Sequence, residues 1–285
     1  LIVVEVALAL VLLIGTGLLM RSFLNLTRWQ PGFDTGNLVT FSIFPPQGKY
    51  RGREQLVPLY RRIQEEVAAV PGVLSVGEVS AGPLFGGGDG TVEFTIEGQP
   101  TPAEGSLPSV AWFDSGPNYF LTLGLPLRRG RFFTQADTMG TPPVAIVNET
   151  MARRYLGGED AVGKRVALRM IESSFEIVGV VADTQPFDPR QPVQPQIHWP
   201  LYQAPRWASF VVVRVAGDPA SLIPTLRARL EQVEPEMSVS GLSTLEQSIA
   251  RELVRPRFHM TLPALFSVIA LVIAVVGIYG VISYS

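Results

Sequence analysis

Apolar residues crowd both ends of the chain and alternate with polar ones in between. Leu262 to Ser285 carries no charged residue, and Leu1 to Met20 carries one, Glu5. At a rise of about 1.5 Å per residue, each run makes a helix of roughly 30 Å, enough to cross the hydrocarbon core of a bilayer. Residues 262–282 include thirteen Leu, Ile, Phe or Val. Together these favour insertion by on the order of 5 kcal/mol before small and polar residues subtract. The pattern predicts transmembrane helices over 1–20 and 261–285, with every other charge lying from Arg21 to Arg257. The first run leads into Arg21-Ser22-Phe23-Leu24 without an Ala-x-Ala site, so it reads as an uncleaved span rather than a signal peptide. Two spans bracketing one polar region place both ends of that region on the same membrane face.

Between the spans the period changes. Leu38 to Pro45 reads as a strand, and Leu56, Leu59, Tyr60, Ile63, Val67 and Val70 fall on one face of a helix that ends at Pro71-Gly72. Val73 to Val79 is a second strand. The same order returns with a strand over Phe210–Val215, then an N-cap at Asp218 followed by Pro219 at the first helical position. A buried stripe of Leu222, Leu226, Leu230 and Val233 and a strand over Met237–Leu242 complete it. Two strand–helix–strand units, over 21–81 and 206–242, thus flank an insertion over 82–205. They predict a split βαβ, ferredoxin-like lobe.

The insertion is rich in Gly and Pro, with short strands near Thr91–Ile96, Ser109–Phe113, Val144–Val147, Arg165–Leu168 and Phe175–Val181. One helix is capped by Asn148 and stopped by Gly157-Gly158. This predicts a mostly β inserted lobe, and an α+β class for the whole. Ser243-Thr244-Leu245-Glu246 reads as a capping box that starts a connecting helix over 243–260.

Composition narrows the function. A formal net charge of −2 lacks the basic footprint of a nucleic-acid binder, and the absence of Cys rules out disulfides and thiolate metal sites. The chain starts at Leu1 rather than Met and ends within an apolar run, so it reads as part of a longer protein.

Candidate chemistry is sparse. Gly86-Gly87-Gly88-Asp89-Gly90 lacks the Lys and Ser/Thr of a phosphate loop and reads as a loop tip. His198 and His259 have no metal-ligand spacing around them and read as surface or interface residues. Glu65-Glu66 and Glu159-Asp160 read as solvated charges. No Gly-x-Ser-x-Gly elbow is present. No catalytic, cofactor-binding or metal-binding residue is therefore assigned. Glu5 is the one ionisable group inside a span, close enough to its start to snorkel to the interface. Ser267, Ala270, Ala274 and Gly277 line one face of the second span, where small residues let another helix approach. Arg21, Arg28, Arg251, Arg255 and Arg257 flank the spans on the domain's side, the side that positive-inside assigns to the cytoplasm. That rule weakens across a loop this long.

A family resemblance enters with the run Asn118-Tyr119-Phe120-Leu121-Thr122-Leu123-Gly124-Leu125-Pro126-Leu127 and the following Arg129-Gly130-Arg131. Val144 to Glu149, Ala152 to Tyr155, Gly163-Lys164-Arg165, Glu176 to Val181 with Asp183, and Val276 to Val281 extend it. These segments resemble the MacB-like periplasmic core domain of FtsX-type ABC permeases, nearest to the duplicated orphan permeases. The resemblance implies a multi-pass inner-membrane permease with its core domain on the extracytoplasmic side. It also implies a cytoplasmic ABC ATPase as partner, a homodimer or pseudo-dimer, and a periplasmic adaptor. No chemistry or cofactor of the chain's own is expected. The alternative is a membrane-anchored sensory or scaffolding ectodomain that binds an extracytoplasmic ligand or partner without transport.

Overall fold

The computed structural model describes residues 14, 15, 17, 31–80, 90–100, 102, 106–169, 171, 173–185, 191–251 and 279. Apart from residues 14, 15, 17 and 279, both predicted spans lie outside the described residues, as do Glu5, the Ser267–Gly277 stripe, His259 and the tip at 86–89. Among the described residues no helix is long and apolar enough to cross a membrane. Gln30–Ser248 form one compact unit; Leu1–Trp29 with Ile249–Ser285 form another.

Within the first of these units, strands β1 (Leu38–Phe44), β2 (Val73–Val79), β10 (Ser209–Val215) and β11 (Ser238–Thr244) make an antiparallel sheet ordered β11-β1-β10-β2. The alternation along β1 sets its faces. Val39, Phe41 and Ile43 are buried against helices α1 (Leu56–Ala68) and α4 (Pro219–Val233). Leu56, Tyr60, Ile63 and Val67 of α1 meet Leu226, Leu230 and Val233 of α4 in that core. Pro58 falls in the first turn of α1, where its missing N–H breaks no helical bond. The Asp218 carboxylate accepts from the Ala220 amide to start α4, with Pro219 in the first turn.

A second layer of strands closes on itself. β3 (Thr91–Ile96), β4 (Ser109–Ser115), β9 (Gln196–Pro200), β6 (Val144–Asn148), β8 (Ser174–Val181) and β7 (Arg165–Leu168) pair in that circular order, forming a small barrel. The free end of β8 is covered by β5 (Leu127–Gly130). Alternate residues Phe94, Trp112, Val147, Val166, Ile177 and Trp199 fill the interior. Helix α3 (Glu149–Tyr155) adds Met151 and Ala152 to this core, with Asn148 accepting from the Met151 amide at its start. Gly157 and Gly158 at its end both take positive φ, which only glycine adopts cheaply.

Helix α2 (Tyr119–Leu123) and strands β5 and β9 escaped the sequence pattern. Helix α2 is one turn long, too short for a 3.6-residue period to show. It packs on β2 through Gly77, where an added Cβ would lie 2.7 Å from the Tyr119 Cα. Strand β9, reading Gln-Ile-His-Trp-Pro, is buried on both faces, so it shows no alternation.

Candidate functional site

Three polar constructions stand out from the apolar framework. Arg214 is the one cation in β10, whose sequence is otherwise Ser-Phe-Val-Val-Val-x-Val. It pairs with Leu38 across the sheet and faces away from α1 and α4. Its Nε donates to the Thr122 carbonyl at 2.8 Å and its Nη2 to the Leu123 carbonyl at 3.2 Å, satisfying the open end of α2. Its Nη1 donates to the Asp34 carboxylate and the Gly36 carbonyl, both at 3.1 Å, and Nη2 reaches the Asp34 carbonyl at 3.0 Å. The Asp34 side chain is 73% exposed, so the ion pair itself contributes little. The carbonyl contacts do more, since they fasten the segment that feeds β1 to both the sheet and α2.

The opposite connection leaves from β11. Residues 245–251 are helical, and the Thr244 hydroxyl accepts from the Gln247 amide at 3.1 Å. This corrects the expected capping box by one residue. Ser243 and Thr244 are both paired in the sheet, opposite Thr40 and Val39, and Thr244, the last residue of β11, is the one that caps. Ser243 Oγ lies 2.9 Å from Ser248 Oγ, which lies 3.3 Å from Thr40 Oγ1. A chain of hydroxyls thus pins the first turn of the outgoing helix to β1. Thr40 and Arg214 sit on the same sheet face, two residues apart in register. The incoming and outgoing segments are therefore fastened to one surface.

The third construction joins the sheet to the barrel. The two apolar cores are separate clusters, and β2 meets β4 at the single pair Val79–Ser115. Polar groups fill the joint. Glu78 of β2 is 1% exposed. Its Oε2 lies 3.4 Å from the hydroxyl of Tyr202, just after β9. Burial pushes its carboxyl up to about 8. The Tyr202 hydroxyl also lies 3.2 Å from Gln64 Oε1 on α1, which accepts from Gln135 Nε2 at 3.2 Å. Arg61 on α1 donates to the Gln135 carbonyl at 3.0 Å. On the barrel side Arg206 pairs with the fully buried Asp114 at 2.6 Å and lies over the Trp112 ring. The hydroxyl of Tyr60 donates to the Arg206 carbonyl.

His198 is not at the surface, contrary to the sequence expectation. It is 3% exposed, stacks on Phe113, and its Nδ1 lies 2.8 Å from the Ser115 hydroxyl. Burial holds the imidazole down to about 3, so it stays neutral. The expectation failed because β9 was not recognised as a strand. Glu66 is not merely solvated either, since it pairs with Arg229 of α4 at 3.3 Å. Among the described residues no group of three or more metal-ligating side chains converges. Arg214 and Glu78 went unnoticed in the sequence. The signal that could have found them is the same for both: a single charge within an otherwise uncharged, Val-rich strand.

The family model of the MacB-like periplasmic core domain matches residues 1–233. The chain belongs to that family. It is 30% identical over 80 residues to the macrolide export ATP-binding/permease protein MacB of Aggregatibacter actinomycetemcomitans. That match covers 28% of this chain and 12% of the relative. Among solved structures, the periplasmic region of MacB from Actinobacillus actinomycetemcomitans is 17% identical, with a TM-score of 0.47. The alignment covers 77% of this chain and 94% of that one. The extracellular domain of the noncanonic ABC-type transporter YknZ from Gram-positive bacteria is 16% identical, with a TM-score of 0.44. There the coverage is 71% of this chain and 100% of the other. The family match over residues 1–233 spans most of the mixed α+β unit described above.

Proposed function

We propose that this chain is the moving extracytoplasmic part of a permease subunit, displaced when a cytoplasmic ABC ATPase partner works. In this reading the apolar ends are the two spans of a multi-pass inner-membrane protein, and the chain performs no chemistry of its own. The four-stranded lobe is a split ferredoxin-like unit, a reading supported by its fourth-first-third-second strand order. The barrel is its inserted lobe, and subunits pair as a homodimer or pseudo-dimer alongside a periplasmic adaptor. The stripe Ser267, Ala270, Ala274 and Gly277 would be the helix-packing face, and Glu5 a group at the membrane interface.

One observation carries the proposal. Both chain segments that lead toward the apolar ends are locked to the same face of one sheet, by Arg214 and by the Thr40–Ser248–Ser243 hydroxyls. A rigid sheet gripped at both connections converts relative motion of two spans into a tilt of the whole domain, whereas slack connections would absorb it. The test uses the full-length protein purified from native membranes. A co-purifying ATPase whose turnover falls when Thr40→Val and Ser248→Ala are combined, at unchanged complex yield, supports mechanical coupling. Unchanged turnover in that variant, or no ATPase in the complex, refutes it. Replacing Gly277 with Leu should lower assembly in crosslinking of the same complex.

A further inference from the structure

The joint between sheet and barrel poses a donor–acceptor problem. The Tyr202 hydroxyl has one proton, yet two acceptors lie within reach, Gln64 Oε1 at 3.2 Å and Glu78 Oε2 at 3.4 Å. Gln64 is already oriented, because its Nε2 donates to the Val76 carbonyl at 3.3 Å and its Oε1 must therefore face Tyr202. Gln135 Nε2 donates to that same Oε1. With an ionised Glu78 the Tyr202 hydroxyl can serve only one of the two acceptors; both contacts are hydrogen bonds at once only if Tyr202 gives its proton to Gln64 while Glu78 carries a proton of its own and donates to the Tyr202 oxygen. The other carboxyl oxygen, Oε1, is buried without a hydrogen-bond partner among the described residues, a position that a neutral carbonyl tolerates and a carboxylate does not.

The contributors come from both lobes. Glu78 belongs to β2 and Gln64 to α1, whereas Tyr202 follows β9 and Gln135 follows β5. The loop that presents Gln135 is held by Asp137, which accepts from Arg131 at 2.8 and 2.9 Å and from the Thr134 amide at 2.7 Å. The charged or titratable groups facing Glu78 are Tyr60 and Arg61 on α1 and Tyr202 from the barrel side. Arg61 lies over the Tyr202 ring, its guanidinium carbon 5.4 Å from the centroid. Among the described residues no cation forms an ion pair with Glu78.

We propose that Glu78, Tyr202, Gln64 and Gln135 form a proton-dependent latch between the two lobes, closed while Glu78 is protonated and released when it ionises. Loss of the proton leaves two acceptors competing for one hydroxyl and an unpaired charge in a dry joint. The cheapest relief is entry of water, which requires Tyr202 and the Gln135 loop to move off α1. The barrel core is complete within its own lobe, whereas Leu201 and Tyr202 also belong to the sheet-side core, so release opens that core at its edge.

The test is hydrogen exchange on the full chain in lipid nanodiscs, at about pH 6 and about pH 9, with times corrected for intrinsic chemistry. In the wild type, protection at 201–204 and 131–139 should fall by about tenfold or more at the higher pH. Glu78→Gln, whose amide can donate to Tyr202 at every pH, should abolish that change. An equal change in both proteins, or none in the wild type, overturns the latch. If the variant does not fold, a carboxyl-carbon NMR titration of Glu78 in the wild type decides. A midpoint well on the alkaline side of ordinary glutamate supports the latch, and one in the ordinary range overturns it.

Discussion

Replacing Glu78 with Gln should stabilise the domain in proportion to pH. The carboxyl rises from an ordinary 4.5 to about 8 on folding because burial disfavours its charge, outweighing the contact with Tyr202. Below 4.5 both the folded and unfolded chains hold the proton, and the group's full contribution to stability is present. As pH rises, the unfolded chain releases its proton first, and the folded state loses stability steadily until its own carboxyl ionises near 8. Above that point the loss is complete and the curve levels. A displacement of this size corresponds to an upper bound of about 5 kcal/mol. Rehydration of the joint should reduce it to roughly half. Glutamine removes the slope without removing the side chain's volume or its donor. Denaturant melts of the full chain in detergent, from about pH 5 to about pH 9, should show the two proteins converging at the acid end. They should diverge by about 2 kcal/mol at the alkaline end, or several degrees in Tm for a domain of this size. Parallel curves would refute the reasoning, since they would mean that Glu78 titrates alike in folded and unfolded chains.

Other perturbations should read out separate parts of the structure. Arg214→Ala strips the carbonyls of Thr122, Leu123, Asp34 and Gly36 of their donor. It should cost about 2–4 kcal/mol and raise amide exchange at 34–36 and 119–124 together. Gly77→Ala would push a methyl against the Tyr119 backbone, lifting α2 from the sheet at a cost of about 1–3 kcal/mol in a denaturant melt. Lys49→Ala leaves the 4%-exposed Glu234 at the end of α4 without its cation. The Lys49 hydrogen bond is the main cause holding Glu234 below the usual carboxylate range. Its stabilisation is present at neutral pH and lost as pH falls through the lowered value, so the variant's deficit should shrink on acidification.

Much of the fold was legible before any coordinates. Hydrophobic period marked α1 and α4, each of which packs one face on a core, while β1, β2 and β10 showed as short runs rich in Val, Ile and Phe. Asn148, Asp218 and Pro219 announced helix starts through chemistry confined to a few neighbouring residues. The sequence could not order the strands, because pairing partners such as β4 and β9 lie some eighty residues apart and their side chains carry no register. Nor could it reveal α2, too short to have a period, or β9, buried on both faces. The environments of Arg214, His198 and Glu78 were likewise decided only by tertiary structure. A charge in an apolar strand can be followed along the chain, but its protonation and its partners depend on groups that folding brings from distant segments.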